Sequence, residues 1–367
     1  MDTKDTIEQD CDDQKSCRVC RRVLYAGLTL TGIAAALLFW IWAYAFAPGP
    51  QNVRSKPISI IIPPQTSLQG VQNILAQQGL LQNDYRFNLL ARLMGITRSL
   101  KAGEYSFSKA ATPYTILTAL EKGTVVKQSV TIPEGVNIYQ VADILARFDW
   151  LDKDKLLEAF NNPGPLEAFD IKGVQSLEGY LFPDTYSLTR EQSPESIVRM
   201  MLKRFNRVLG EINFIGNNKT GLTLHEILTI ASIVEKETAI HEEKPLIAAV
   251  FGNRLKKGMR LQADPTVIYG INQFNGDITF KDLKTPSPYN TYIIKGLPPG
   301  PICNPGKSSI EAVVNMNTPQ GPDNAKPDGT PYEYIYFVSK NDGSHFFSKT
   351  LAEHNKAVTK YQKQNKR

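Results

Sequence analysis

Between Arg22 and Arg54 the chain carries no charged residue. The stretch from Val23 to Ala47 contains the core LYAGLTLTGIAAALLFWIWAYAF. It is long enough to cross a bilayer, which takes about 20 apolar residues. Trp40, Trp42 and Tyr44 cluster at its far end, where an aromatic belt would meet the interface. Lys15, Arg18, Arg21 and Arg22 precede it. The positive-inside rule then places the N-terminus in the cytoplasm and everything after Pro48 outside. A cleaved signal peptide is the alternative, because Ala45-Phe46-Ala47 fits an A-x-A cleavage site. Such peptides, however, have apolar regions of only about 7–15 residues. The expectation is an uncleaved anchor over 23–47, a short disordered tail over 1–22 and a stiff exit linker over 48–56.

Cysteine usage agrees with that topology. Cys11, Cys17 and Cys20 precede the apolar segment and only Cys303 follows it, so no disulfide framework is expected outside. Cys17-x-x-Cys20 lacks the second pair that a structural zinc site needs. The four histidines, His225, His241, His345 and His354, form no H-E-x-x-H. Neither a G-x-S-x-G elbow nor a phosphate-binding glycine loop occurs. No metal and no cofactor are expected. A net charge of +6, with no basic run interleaved with aromatics, argues against nucleic acid.

An internal repeat follows the linker. Ile62-Pro63, Val71 and Ile74-Leu75-Ala76 recur as Ile132-Pro133, Val141 and Ile144-Leu145-Ala146, at an offset of 70. Each copy begins with a β-rich run, Ile58–Ile62 or Val125–Ile132. Each then enters a helix with apolar spacing at i, i+3 and i+4, followed by a second short helix. Asn137 and Gln140 suit a capping box. Leu100–Phe107 reads as a strand closing the first copy, and Pro113–Lys122 as a helix stopped by Gly123.

Glu178 lies in Ser176-Leu177-Glu178-Gly179-Tyr180-Leu181-Phe182-Pro183-Asp184-Thr185-Tyr186. Pro183 rules out a regular helix there, and Gly179 permits an unusual turn. A carboxyl held against aromatic rings is poorly solvated, and its pKa rises. Such an acid can donate a proton near neutral pH. From composition alone the plainer reading, an exposed loop glutamate in a structural turn, is the favoured one.

Further on, Ser193-Pro194 starts a helix to about Leu209. Thr223 and Glu226 form a second capping box, opening a helix apolar on nearly every side from Ile227 to Val234. That helix ends in Glu235-Lys236-Glu237, either salt-bridged structure or the polar wall of a site. Loops carrying Gln262, Asp264, Tyr289, Asn290 and Asn304 supply amides and aromatic faces suited to a sugar ligand, or to packing. Tyr334–Ser348 reads as a terminal hairpin, with a helix from Thr350.

These motifs occur in order: the Glu178 segment, Ala231–Glu237, Leu261-Gln262-Ala263-Asp264-Pro265-Thr266-Val267, Tyr289-Asn290-Thr291-Tyr292, Gly296–Gly306, and Phe347–Thr350 with Glu353-His354-Asn355. Together they resemble the membrane-anchored endolytic murein (peptidoglycan) lytic transglycosylases of the MltG or YceG-like family. Cys303 stands where that family is expected to carry a small residue such as alanine. The resemblance implies an α+β fold with a single N-terminal transmembrane helix, a LysM-like glycan-contacting unit over 57–132 and a mixed α/β catalytic domain over 133–367. Residues 133–170 of that domain repeat the β-α-α pattern. It implies an inner-membrane enzyme that cleaves MurNAc–GlcNAc bonds within nascent glycan strands and leaves 1,6-anhydro ends. Peptidoglycan synthases (penicillin-binding proteins) would be partners. It maps the catalytic acid onto Glu178. Glu235, Gln262, Asp264, Tyr289, Asn290 and Asn304 are then candidates to position sugar or support Glu178. A hydrolase using water, with Glu235 or Asp264 as second carboxylate, and a non-catalytic glycan-binding module remain open.

Overall fold

A computed structural model describes residues 4–49, 57–169, 171, 173–190, 192–271, 276–316 and 333–363. Helix α1, Lys4–Phe46, includes the apolar segment Leu24–Phe46. It begins well before that segment, where a disordered tail was expected. No proline or glycine interrupts the chain before Gly27, so a helix nucleated in the apolar run can propagate toward the N-terminus. The side chains of Cys17 and Cys20 lie outside the described residues.

The chain divides into two compact units, Met1–Lys127 with Thr189–Glu191, and Gln128–Leu188 with Gln192–Arg367. In the first, β1 (Ile58–Ile62) leads into α2 (Leu68–Gln77) and α3 (Arg86–Leu93). Next come β2 (Gly103–Phe107), antiparallel to β1, and α4 (Pro113–Lys122). The Ser67 hydroxyl caps α2 and the Thr112 hydroxyl caps α4. Gly123, at φ 73°, ends α4 in the left-handed conformation that costs glycine least. Ile60, Val71, Leu75, Phe87, Tyr105 and Ile116 form the core.

The second unit opens with β3 (Gln128–Thr131), α5 (Ile138–Leu145) and α6 (Lys153–Phe160). β3 and α5 start 70 residues after β1 and α2 (58 to 128, 68 to 138). β3 pairs antiparallel with β4 (Thr185–Leu188), which follows the Glu178 segment. Helices α7 (Pro194–Glu211), α8 (Phe214–Asn217), α9 (Leu224–Glu237), α10 (Lys244–Lys256), α11 (Asp264–Tyr269) and α12 (Lys307–Val314) come next. The antiparallel hairpin β5 (Tyr336–Ser339) and β6 (His345–Ser348) and helix α13 (Leu351–Val358) close the unit. The architecture is α+β and helix-rich, with strands only in separate pairs among the described residues.

Helix α9 organises this unit. Its residues Ile227–Val234 are all buried, and α10 and α12 pack against it. The capping boxes expected at Thr223/Glu226 and Asn137/Gln140 are both formed. Because α5 starts cleanly at Asn137, its first turn holds a fixed position in contact with Glu178.

Candidate functional site

Glu178 is 4% exposed. Its Oε2 accepts hydrogen bonds from the backbone N–H of Ile138, at 3.2 Å, and from the Tyr269 hydroxyl, at 3.1 Å. The first donor belongs to the opening turn of α5, whose dipole favours negative charge. Oε1 is buried and has no hydrogen-bond partner among the described residues. Burial disfavours the ionised form and pushes the pKa up to about 8 against the pull of the neighbouring donors. The group is therefore an acid at neutral pH, with donors already in place for its conjugate base.

The turn that presents Glu178 is locked by residues remote in sequence. Asn304 Oδ1 accepts from the N–H groups of Gly179 and Leu181, both at 3.0 Å. Its Nδ2 donates to Val136 O, at 2.9 Å. Backbone bonds between Asn304 and residues 135–136 complete the brace. Gly179 sits at φ 86°, and a Cβ there would come within 2.5 Å of Pro301 Cβ and Cγ. The next ring, Tyr180, donates its hydroxyl proton to His225 Nδ1, at 2.7 Å. His225 Nε2 lies 2.8 Å from Pro299 O. A carbonyl only accepts, so the proton of this imidazole resides on Nε2.

A cleft of about 680 Å³ opens over this region, lined by Asn137, Tyr139, Lys236, Pro265, Tyr269 and Ile302, among others. Tyr269 belongs both to its wall and to the Glu178 contacts. Tyr289 lies beside Tyr269, with ring centroids 4.8 Å apart. Burial, then the charge of Glu178, raises its pKa.

The other residues singled out in the sequence divide by what they bind. Glu235 accepts from Lys244 Nζ at 3.1 Å, the Gly306 N–H at 2.9 Å and Ser309 Oγ at 2.7 Å. Asn290 is 1% exposed, donates to the carbonyls of Asp282, Leu283 and Thr285, and accepts from the Tyr292 N–H. With Asn304, these three hold protein loops together. Gln262 and Asp264 are exposed. Asp264 accepts a 2.6 Å bond from the Tyr292 hydroxyl. Gln262 has φ 51° without being glycine, a conformation that costs on the order of 1–2 kcal/mol. Glu237, read in the sequence only as structure or site wall, has its pKa pushed up to about 8 by burial and by Asp264, with Arg254 opposing.

Tyr269 and Tyr139 were missed among the candidates. Tyr269 reaches Glu178 across 91 positions, and only its place just after the Leu261–Val267 motif could have drawn attention to it. Cys303 is buried, its thiol directed at Ser232 O, and fills core space next to the brace.

These features describe an α+β protein with an apolar N-terminal helix and a cleft above a sealed glutamate. The YceG-like family model matches residues 60–360, and the chain belongs to that family. An endolytic murein transglycosylase of Bacillus subtilis is 34% identical over 319 residues, covering 83% of this chain and 84% of that protein. One of Streptococcus pneumoniae is 30% identical over 344 residues, covering 85% of this chain and 60% of that protein. A crystal structure of a YceG-like protein from Listeria monocytogenes superposes with a TM-score of 0.53 at 34% identity, over 82% of this chain and 99% of that one.

Proposed function

We propose that the chain is an endolytic peptidoglycan lytic transglycosylase, with Glu178 as its single acid–base catalyst. The observation that carries this reading is the environment of Glu178: burial keeps the proton on, while two donors wait for the carboxylate. In the proposed reaction Glu178 protonates the oxygen linking MurNAc to GlcNAc, and the bond from that oxygen to C1 breaks. The 6-hydroxyl oxygen of the same MurNAc bonds to C1, and its proton passes to the Glu178 carboxylate. The acid is regenerated and a 1,6-anhydro end is left. An internal nucleophile has a high effective concentration, so no water-activating carboxylate is needed. Glu235 is already committed to Lys244 and Ser309, which favours this route over the hydrolase. Gln262, Asp264 and Tyr289 are proposed to position sugar. Glu235, Asn290 and Asn304 are proposed to support the loops that do so.

In the first unit, the proposed LysM-like glycan contact is a groove of about 290 Å³. It lies between the loop after β1, with Gln65 and Thr66, and Thr97–Ala102 before β2. With α1 in the inner membrane and the second unit in the periplasm, the substrate is nascent glycan beside the peptidoglycan synthases, and cutting it limits strand elongation.

The test is digestion of uncrosslinked glycan strands by the full chain, with products read by mass spectrometry. Internal cuts bearing anhydro ends support the reading. Free reducing ends mean hydrolysis by water, and binding without cuts means a non-catalytic module. Tyr269→Phe sharpens the assignment. It removes a donor that favours the carboxylate, so the Glu178 pKa rises. The alkaline limb of the pH–rate profile is expected to move up by about one unit; an unmoved limb would detach Tyr269 from the acid.

A further inference from the structure

The last two turns of α1 do not stand clear of the first unit. Ile41, Tyr44 and Ala45 are buried in its core. The Trp40 ring lies 5.8 Å from that of Tyr85, and Phe46 lies 5.2 Å from Tyr114. The Arg86 guanidinium sits 4.5 Å over the Tyr44 ring and 5.7 Å from that of Trp40, and pairs with Asp84. Contact thus extends from Trp40 to Phe46, about 9 Å at 1.5 Å per residue.

That length fixes a depth. The apolar segment Leu24–Phe46 has 23 residues, or about 34 Å of helix against about 30 Å of hydrocarbon. Only about three residues can project beyond the hydrocarbon in total, and any tilt draws more of the helix in. Trp40 therefore lies below the hydrocarbon boundary or at it, and Tyr85 on the turn entering α3 shares its level. The outward surface here exposes Tyr85 (67%), Leu93 (64%) and Tyr114 (40%). A cleft of about 530 Å³ between α1 and the α3–α4 pair has walls that include Leu38, Trp42, Leu90, Met94 and Tyr114. Between Asp84 and Arg98 the only acid is Asp84, which is paired with Arg86. Arg92 is exposed.

We propose that this face of the first unit is a membrane-contact surface, seated in the interfacial layer of the bilayer that α1 crosses. Tyr85, Leu93 and Tyr114 lie at the boundary between acyl chains and headgroups. The apolar cleft takes acyl chain, and Arg92 faces lipid phosphate. A guanidinium paired to a carboxylate and stacked on two aromatic rings is how a cation is carried at that depth. The occupant is bilayer lipid, because the face is continuous with the bare surface of the anchor helix and carries net positive charge. The proposal rests on α1 spanning the membrane. It makes the first unit a fixed platform on the bilayer rather than a module swinging on a tether.

The test uses the full chain with Cys11→Ser, Cys17→Ser and Cys20→Ser; Cys303 is buried and stays. Single nitroxide labels are placed at Leu93→Cys, Tyr85→Cys or, within the span, Leu30→Cys. The protein is reconstituted in vesicles of phosphatidylethanolamine and phosphatidylglycerol, and collision with oxygen is compared with collision with a water-soluble nickel chelate. Leu93 and Tyr85 are expected to favour oxygen by about threefold or more, short of the value at Leu30. Nickel dominating at both positions while Leu30 reads as lipid would overturn the proposal and leave the anchor intact. Nickel dominating at Leu30 as well would show that the anchor reading had failed and taken the proposal with it. Dipolar broadening between labels would assign the face to a second copy of the chain and overturn the lipid assignment.

Discussion

Glu178→Gln is expected to lower glycan cleavage by at least about a thousandfold and at the same time to stabilise the second unit at neutral pH. The folded chain holds the Glu178 proton up to about pH 8, whereas the unfolded chain releases it near the ordinary value of 4.5. Between those limits the native state binds more protons than the unfolded state, so stability falls as pH rises, by about 1.4 kcal/mol per pH unit. The neutral glutamine escapes this loss. At pH 7.5 the variant is expected to exceed wild type by about 2–4 kcal/mol, and at pH 4 the two should nearly coincide. Glu237 titrates in the same range, but it is present in both proteins and cancels in the difference. Urea unfolding at the two pH values gives the answer directly. Parallel stability curves would mean that Glu178 is ionised in the folded protein, and the general-acid role would fall.

Gly179→Ala is expected to be the most damaging small substitution near the site. The residue sits at φ 86°, and a Cβ would overlap Pro301 at 2.5 Å. Relief requires moving the loop that carries Asn304, whose carboxamide holds Gly179 and Leu181. Conformational strain and forced repacking together cost about 2–5 kcal/mol, or roughly 5–15 °C in Tm for a unit of this size. Gly173 is the matched control in the same unit. Its φ is 77°, and no heavy atom lies within 4 Å of the place a Cβ would occupy, so Gly173→Ala carries the conformational cost of about 1–2 kcal/mol alone. Equal melting shifts for the two alanines would show that the Pro301 contact has no energetic weight. Loss of cleavage at temperatures where Gly179→Ala is still folded would show that the turn also aims the acid.

What could be read in the sequence was what neighbouring residues decide among themselves. The capping boxes at Asn137 and Thr223 and the hairpin around Asn341-Asp342-Gly343 rest on partners within a few positions, and spacing alone reveals them. The aromatic and apolar residues around Glu178 permitted a poorly solvated acid, but an exposed turn glutamate was the plainer reading, because neighbours in sequence do not say which way the carboxyl turns; its burial belongs to the folded structure. The extent of α1 did not follow from composition, since a polar, mixed-charge tail reads as disorder until an adjoining helix extends through it. The work of Asn304, Glu235 and Asn290 was hidden for a different reason. An amide or a carboxylate in a proline- and glycine-rich loop looks the same whether it faces a ligand or ties a loop. Partners such as Gly179, Lys244 or Asp282 appear only once distant stretches meet. Tyr269 belongs with them, because its role depends wholly on a contact 91 positions away.

The Asn304 brace also sets when the site can exist. Its bonds to Gly179 and Val136 close loops of 125 and 168 residues, among the slowest contacts for a chain to find because the closure entropy comes before any gain. During synthesis, Glu178 emerges long before Asn304 does. Until Asn304 arrives, the carboxyl lacks the brace that holds its turn. A chain halted before residue 304 carries the acid without the brace that shapes its turn, so the site exists only in the complete second unit.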